Sequence, residues 1–407
     1  MQDLEELTTH CIRCGFCIES CPTFTVTGSE AESPRGRIYL VRSAVAGKLS
    51  WAEDVAPHLD LCLGCRACET ACPSGVQYGE ILELARDRIE KEAPKRNRSM
   101  LLKSTTSPGL LKLQLTAGKL LPGRRLPDPI SKYFSGKPAE VDKPEPQKAP
   151  NFPPLDEAKL PPVKGRVYLL EGCAMRVLYP RVHACTRRLL RRIGYEVEET
   201  EQGCCGAMHA HNAHLDEARS FGQKLIQAMP KDLPVVVNSA GCGSTMKEYG
   251  ELIGEDAKPF ASRVSDLSQF LLANGLTDAL KSAALSGRLT YHDACHLAHG
   301  QKVKSEPREL LKAIPEAEFV ELPESDRCCG SAGVYNVLQP EMARTLLNQK
   351  WKNVQGTGAQ WVATGNPGCH AWIAQAARET GSEIRVMHTA EVLEAAFIGM
   401  RYFAEGA

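Results

Sequence analysis

The order of apolar and polar positions changes character twice along this chain. Beyond residue 163, short apolar runs alternate with longer amphipathic stretches. Residues 166–170 (RVYLL), 195–199 and 235–238 read as strands. Between them, residues 179–192 form a basic helix stopped by Gly194, and residues 215–229 form a second helix. Residues 289–292, 317–321 and 361–364 take the same strand roles further on. Strands alternating with helices predict a parallel sheet covered by helices, with groups at the carboxyl ends of the strands lining a site. Near the N-terminus, residues 37–49 and 51–61 are short helices. Residues 76–91 place Ile81, Leu82, Ala85 and Ile89 on one stripe, with Glu80, Glu83, Arg88 and Glu90 elsewhere. Between the two zones, residues 94–163 hold 13 of the 26 prolines, a density that predicts an extended linker. Residues 100–121 within it are apolar but carry Lys103, Lys112 and Lys119. Such a segment either lies on a membrane surface or packs against a neighbouring domain or subunit. Pro108 and Gly109 interrupt any continuous helix there.

The C-terminal zone is duplicated. Cys173, Cys204-Cys205-Gly206 and Cys242 recur as Cys295, Cys328-Cys329-Gly330 and Cys369, at offsets of 122, 124 and 127 residues. Each copy gathers four cysteines at the carboxyl edge of its sheet, a set sufficient for an iron–sulfur cluster or a tetrahedral zinc. Cys185 falls outside the pattern and reads as a buried structural thiol. Nine of the 11 histidines lie beyond residue 180. His209, His211 and His214 follow the first Cys-Cys-Gly, and His292 and His296 bracket Cys295. His296 and His370, each next to a cysteine landmark, are the candidates for tuning a metal centre.

Eight further cysteines form two copies of one run: Cys11, Cys14, Cys17, Cys21-Pro22 and Cys62, Cys65, Cys68, Cys72-Pro73. Three thiolates at intervals of three let a tight loop wrap three corners of a cube. The fourth, before proline, is thrown clear and reaches the other cube. The expected sets are Cys11, Cys14, Cys17 and Cys72 on one [4Fe–4S] cluster, and Cys62, Cys65, Cys68 and Cys21 on the other. Zinc also takes paired Cys-x-x-Cys, but the third cysteine and the proline are surplus to it. Arg13, Arg35, Arg37 and Arg66 lie near these cysteines and either offset their negative charge or are solvated.

Composition narrows the setting. The 407 residues are 43% hydrophobic and 24% charged, with a formal net charge of zero, so nothing points to nucleic acid. The first residues are acidic and lack the apolar core of an export signal, and no apolar run reaches bilayer length. Seventeen cysteines in such a chain predict metal ligands in a reducing compartment, the cytoplasm. The predicted fold class is α+β multidomain. An α-helical ferredoxin domain spans 1–93, a Pro-rich linker 94–163, and two Rossmann-like α/β modules 164–286 and 287–407.

With both ferredoxin runs and both Cys-Cys-Gly modules in one chain, the sequence resembles the iron–sulfur subunits of glycolate oxidase. The likeness covers nearly the whole length and includes Pro34-Arg35-Gly36-Arg37-Ile38-Tyr39-Leu40, Cys204-Cys205-Gly206-Ala207 and Cys328-Cys329-Gly330-Ser331-Ala332-Gly333. Similar families are the iron–sulfur subunits of lactate-utilisation and anaerobic glycerol-3-phosphate dehydrogenases and, more distantly, of heterodisulfide reductase. The resemblance implies two [4Fe–4S] clusters on the eight N-terminal cysteines and FAD-binding 2-hydroxy-acid oxidase subunits as partners. It implies electrons from glycolate or D-lactate passing toward quinone or another carrier, and a cytoplasmic protein, peripheral on the inner face of the membrane if quinone is the acceptor. No substrate oxidation is expected of this chain alone: it has no G-x-G-x-x-G fingerprint and no nucleophile elbow. A complete heterodisulfide reductase module ends Cys-x-x-Cys, and its five cysteines hold one cluster. Here the fifth positions are Thr245 and Trp372. A four-cysteine cluster, zinc or a metal-free module all stay open, as do the rival readings of a thiol–disulfide oxidoreductase and a zinc-dependent docking module.

Overall fold

The computed structural model describes residues 4–121 and 123–403. Its N-terminal part is helical. Pro34–Val45, Ala56–Leu61 and Tyr78–Glu92 pack around Ile38, Val41, Val55, Leu59, Ile81, Leu82, Ala85 and Ile89, with Leu7 closing the cluster. Pro34 opens the first of these helices, where its missing N–H costs nothing, and the Ser33 hydroxyl caps it by accepting from the Gly36 N–H at 3.0 Å.

Each C-terminal copy is a four-stranded parallel sheet. The first contains β1 (Gly165–Leu170), β2 (Tyr195–Val197), β3 (Val235–Val237) and β4 (Val264–Asp266), in the order β2-β1-β3-β4. The second contains β5 (Gly287–His292), β6 (Ala317–Val320), β7 (Trp361–Thr364) and β8 (Arg385–His388), in the order β6-β5-β7-β8. The identical strand order matches the repeat seen in the cysteines. Three strands per copy were expected from the apolar runs. The fourth, β4 and β8, escaped because each is short and part polar (VSD and RVMH).

Both sheets share one core. Leu189, Leu190, Leu267 and Leu271 of the first copy pack with Leu289, Leu310, Leu311 and Leu393 of the second, and Cys185 is fully buried among them. Helices Pro180–Arg192 and Thr389–Ile398 form its seam. There the buried carboxylates Glu391 and Glu394 meet Arg181 at 2.6 Å, and Arg188 and Arg192 at 2.6 and 2.9 Å. A second ring of contacts ties the N-terminal helices down. Arg86 donates to the carbonyls of Leu59, Cys62 and His211, all at 2.7 Å, and the Tyr335 hydroxyl donates to the Leu61 carbonyl at 2.9 Å.

The expected extended linker is corrected by the structure. Its first part folds as helices Arg96–Thr106, Pro108–Lys119 and Asp128–Ser135. Eleven of the 13 prolines fall at 122–162, and Pro108 sits at a helix start, where proline is tolerated. The interruption expected at Pro108 is where one helix gives way to the next.

Candidate functional site

The two ferredoxin runs build the same loop twice. Arg13 and Gly15 have φ of 59° and 90°, and Gly64 and Arg66 have φ of 64° and 63°. Each loop therefore places left-handed residues two and four positions after its first cysteine, with glycine and arginine exchanged between copies. Left-handed turns of this kind aim successive N–H groups inward, a concavity suited to anionic sulfur. In the second loop the Gly64 N–H donates to Cys62 Sγ at 3.4 Å.

Cys11, Cys14, Cys17 and Cys72 line one pocket with Ile38, Val76 and Tyr78, and Cys68 of the second run reaches its wall. Cys14 is exposed, and its neighbours Ile12 and Phe16 are 68% and 70% exposed. Burial pushes the Cys17 thiol up, and the charges of Cys11 and Cys72 add to that push. The other set lies deeper. Burial raises the Cys68 thiol, and Cys65, Cys62 and Cys21 raise it further. Against the cost of burial, Arg37 and Arg86 hold the Cys62 thiol below its usual value. Arg37 is buried, with its guanidinium 3.9 Å from Cys21 Sγ and 2.6 Å from Glu32. The Tyr78 hydroxyl donates to Cys62 Sγ at 3.5 Å. The two groups thus come together as two sets of four sulfurs, with backbone donors and cations facing them, which fits thiolate-bound iron–sulfur clusters. Of the nominated arginines, Arg37 faces the deeper sulfurs, and Arg13 and Arg35 line the pocket of the first set. Arg35 pairs with Glu30 at 2.6 Å, and Arg66 pairs with Glu69 at 2.9 Å and with Glu248.

Each C-terminal tetrad sits at a strand's carboxyl edge. In the first, the free Cys204 thiol is in hydrogen-bonding contact with Cys173 and Cys205, and Cys205 with Cys242. In the second, Cys328 is in the same contact with Cys295 and Cys329, and Cys329 with Cys369. The glycine of each Cys-Cys-Gly is obligatory. Gly206 (φ 85°) and Gly330 (φ 90°) would each drive a Cβ to within 2.7 and 2.6 Å of the backbone oxygens of Ala218 and Ala343. Their N–H groups donate to Cys204 Sγ and Cys328 Sγ at 3.3 and 3.4 Å. Thr245 and Trp372, at the fifth positions, are both buried, and the Trp372 ring lies 5.1 Å under Arg344.

The histidines divide. His296, on a single π-helical turn (His296–Gly300), places Nδ1 3.5 Å from Cys295 Sγ. Its ring lies 4.7 Å from that of His211, whose Nδ1 meets Glu83 at 2.7 Å. His370 does not face the cysteines. It packs edge-on against Tyr179 at 5.3 Å, in the field of Glu391 and Arg181. On a helix, consecutive residues point about 100° apart, so adjacency to Cys369 set the wrong expectation. His292, with no such adjacency, is the histidine at Cys329 and Cys369. Its place at the end of β5, where strand ends line sites, was the available signal. The second tetrad also borders the ferredoxin part: Leu63 and Cys65 pack in one cluster with Cys295, Cys328, Cys329 and Cys369.

Comparison with known proteins agrees with this layout. A 4Fe-4S dicluster domain model matches residues 8–76, and a cysteine-rich domain model matches 167–247 and 289–374. The chain is 34% identical to a probable glycolate oxidase iron–sulfur subunit of Bacillus subtilis, over 94% of this chain and 93% of that one. It is also 34% identical to the glycolate oxidase iron–sulfur subunit of Escherichia coli, over 97% and 95%. A fumarate reductase (CoM/CoB) subunit of Methanothermobacter marburgensis is 29% identical, over 97% of this chain and 73% of that one. Among solved structures, a hypothetical protein from Helicobacter pylori shares the fold, with a TM-score of 0.54 and 9% identity over 97% of this chain and 77% of that one.

Proposed function

The chain belongs to the family of glycolate oxidase iron–sulfur subunits, and from that membership we propose that it relays electrons from a separate FAD-binding 2-hydroxy-acid oxidase subunit toward a quinone or another carrier. In this reading residues 1–93 hold the relay, 94–163 connect it, and 164–286 and 287–407 are paired modules that seat it. The observation that carries the reading is the pair of four-sulfur sets built on matching left-handed loops. Cys11, Cys14, Cys17 and Cys72 would hold one [4Fe–4S] cluster, and Cys62, Cys65, Cys68 and Cys21 the other. When bound, such cubanes take up and give back single electrons. The chain's own residues set the order of use. The first set lies near the surface beside exposed Ile12 and Phe16, which suits docking of the flavoprotein. The second is sealed by Tyr78, Arg37 and Arg86 and borders the C-terminal modules. Arg37 and Arg86 counter the anionic charge of the deeper set and favour its reduced form. Among the described residues no helix is long and apolar enough to cross a membrane. Delivery to a membrane quinone would therefore use a surface contact, for which the helix Pro108–Lys119 is suited.

The chain purified alone under anaerobic conditions should be brown and hold at least about eight irons, the content of two cubanes. It should not oxidise glycolate until the flavoprotein is added. Turnover of glycolate by the isolated chain would overturn the reading.

A further inference from the structure

His292 closes β5 and is fully buried; neither ring nitrogen has a nitrogen or oxygen partner among the described residues, and the group it meets is the Cys329 thiol. A thiol is a weak hydrogen-bonding group, so this buried imidazole is poorly satisfied by the protein alone. A ring nitrogen of His292 and the sulfurs of Cys329 and Cys369 all lie within 4.8 Å of one another. Cys328 joins that group through Cys329 and brings Cys295 with it. Three donors are thus mutually close, and Cys328 and Cys295 extend them as one buried chain of thiol contacts.

The first copy has no histidine on the corresponding strand. Its β1 reads Gly-Arg-Val-Tyr-Leu-Leu where β5 reads Gly-Arg-Leu-Thr-Tyr-His, so Leu170 stands where the second copy has His292. Leu170 is buried in an apolar cluster and offers nothing to a metal. The first copy turns His209, on the short helix after its Cys-Cys-Gly, toward Cys204 instead, so the repeat is symmetric in its cysteines and asymmetric in the element that supplies a histidine.

We propose that the second module holds an iron–sulfur centre ligated by Cys295, Cys328, Cys329, Cys369 and His292, with the strand histidine supplying the fifth protein donor at a site whose helix offers Trp372 instead. Structural zinc closes at four ligands, and the five donors here exceed that number. An iron–sulfur centre accommodates imidazole beside thiolate, and the exchange of an anionic ligand for a neutral one raises its reduction potential. The site also packs against Cys65, a member of the deeper N-terminal set. The assignment rests on the functional reading above only for its redox context. The ligand set stands on the geometry of the second module.

The test uses the full-length chain, purified anaerobically. Wild-type protein should contain iron beyond the roughly eight atoms of two cubanes. Pulsed EPR should show a nitrogen-14 coupling on one centre. His292→Ala should abolish that coupling and leave both cubane signals intact, which also certifies the fold. His292→Cys should keep the surplus iron, lose the nitrogen coupling and lower the potential of that centre alone. Cys369→Ser should lose the surplus iron. Iron at or below about eight per chain, one zinc per chain that disappears in Cys369→Ser, or a nitrogen coupling that survives His292→Ala would each overturn the proposal. Loss of the cubane signals from wild-type protein would instead refute the relay reading, so the two failures are distinguishable.

Discussion

At the scale of single residues, the sulfurs were legible and their electrostatic partners were not. The eight N-terminal cysteines announce themselves because cluster loops are local: three thiols at fixed short spacing have few other uses. Arg37 shows the opposite case. In sequence it is one arginine among several near the run, yet only the fold buries it against Cys21, with Glu32 and the His58 carbonyl fixing its guanidinium at 2.6 and 2.8 Å. A unit charge a few ångströms away at an effective dielectric of about 20 is worth a few kcal/mol. Replacing Arg37 with Met should therefore make the reduction potential of the deeper cluster more negative, by roughly 50–100 mV, and Arg37→Lys should preserve most of it. EPR-monitored redox titration reads this directly, and an unchanged potential in Arg37→Met would show that the guanidinium is only a packing element. The histidines divide in the same way: adjacency to a cysteine held for His296 and failed for His370, while the end of a strand placed His292.

At the scale of elements, periodicity found the long helices and the apolar strands, and missed those whose residues are few or mixed. The helix Pro108–Lys119 is the element whose polarity is inverted. Leu111 faces inward and is buried, while Leu110 and Leu113, and Leu120 just past the end, are exposed on the outer face. Soluble helices turn their apolar stripe to the core. Lys103, Lys112, Lys119 and Lys132 around it are exposed, and none forms an ion pair among the described residues. Residues 97–137 carry eight basic side chains and one acidic. Outward leucines flanked by unpaired lysines match the interface of an anionic bilayer. The chain should float with vesicles containing phosphatidylglycerol, much less with pure phosphatidylcholine, and lose binding as salt rises. The triple change Leu110→Ser, Leu113→Ser and Leu120→Ser should abolish flotation without changing iron content. Equal binding by that variant and wild type would assign the leucines another role.

At the scale of the whole molecule, the two modules share one apolar core, and buried, matched ion pairs fix its seam. The duplication was legible from cysteine offsets, but the shared core was not, since no local signal tells which helix faces which. His388 at the end of β8 crosses the seam: its Nε2–H donates to the Asn238 carbonyl at 2.8 Å, and its Nδ1 accepts from the Ala390 N–H at 3.1 Å. Burial pulls its pKa down to about 4, against the opposing charge of Glu391 and with help from His370 and His183. The neutral ring is therefore the native form. The unfolded chain binds the extra proton first, so stability is complete above about pH 6.5 and falls between about 6.5 and 4, by roughly 2–3 kcal/mol for this group. Comparing melting at pH 7 and pH 5 in wild type and His388→Asn isolates the effect, because cluster lability is common to both. The variant, which keeps a capping side chain, should show the smaller loss. Beyond stability, the molecule's purpose is tested most directly by mixing the oxidised chain anaerobically with its flavoprotein and glycolate, following visible absorbance and the EPR of reduced cubanes. The account predicts that both N-terminal clusters become reduced only when flavoprotein and glycolate are present together. Clusters that stay oxidised in the complete mixture while glycolate is consumed would contradict it.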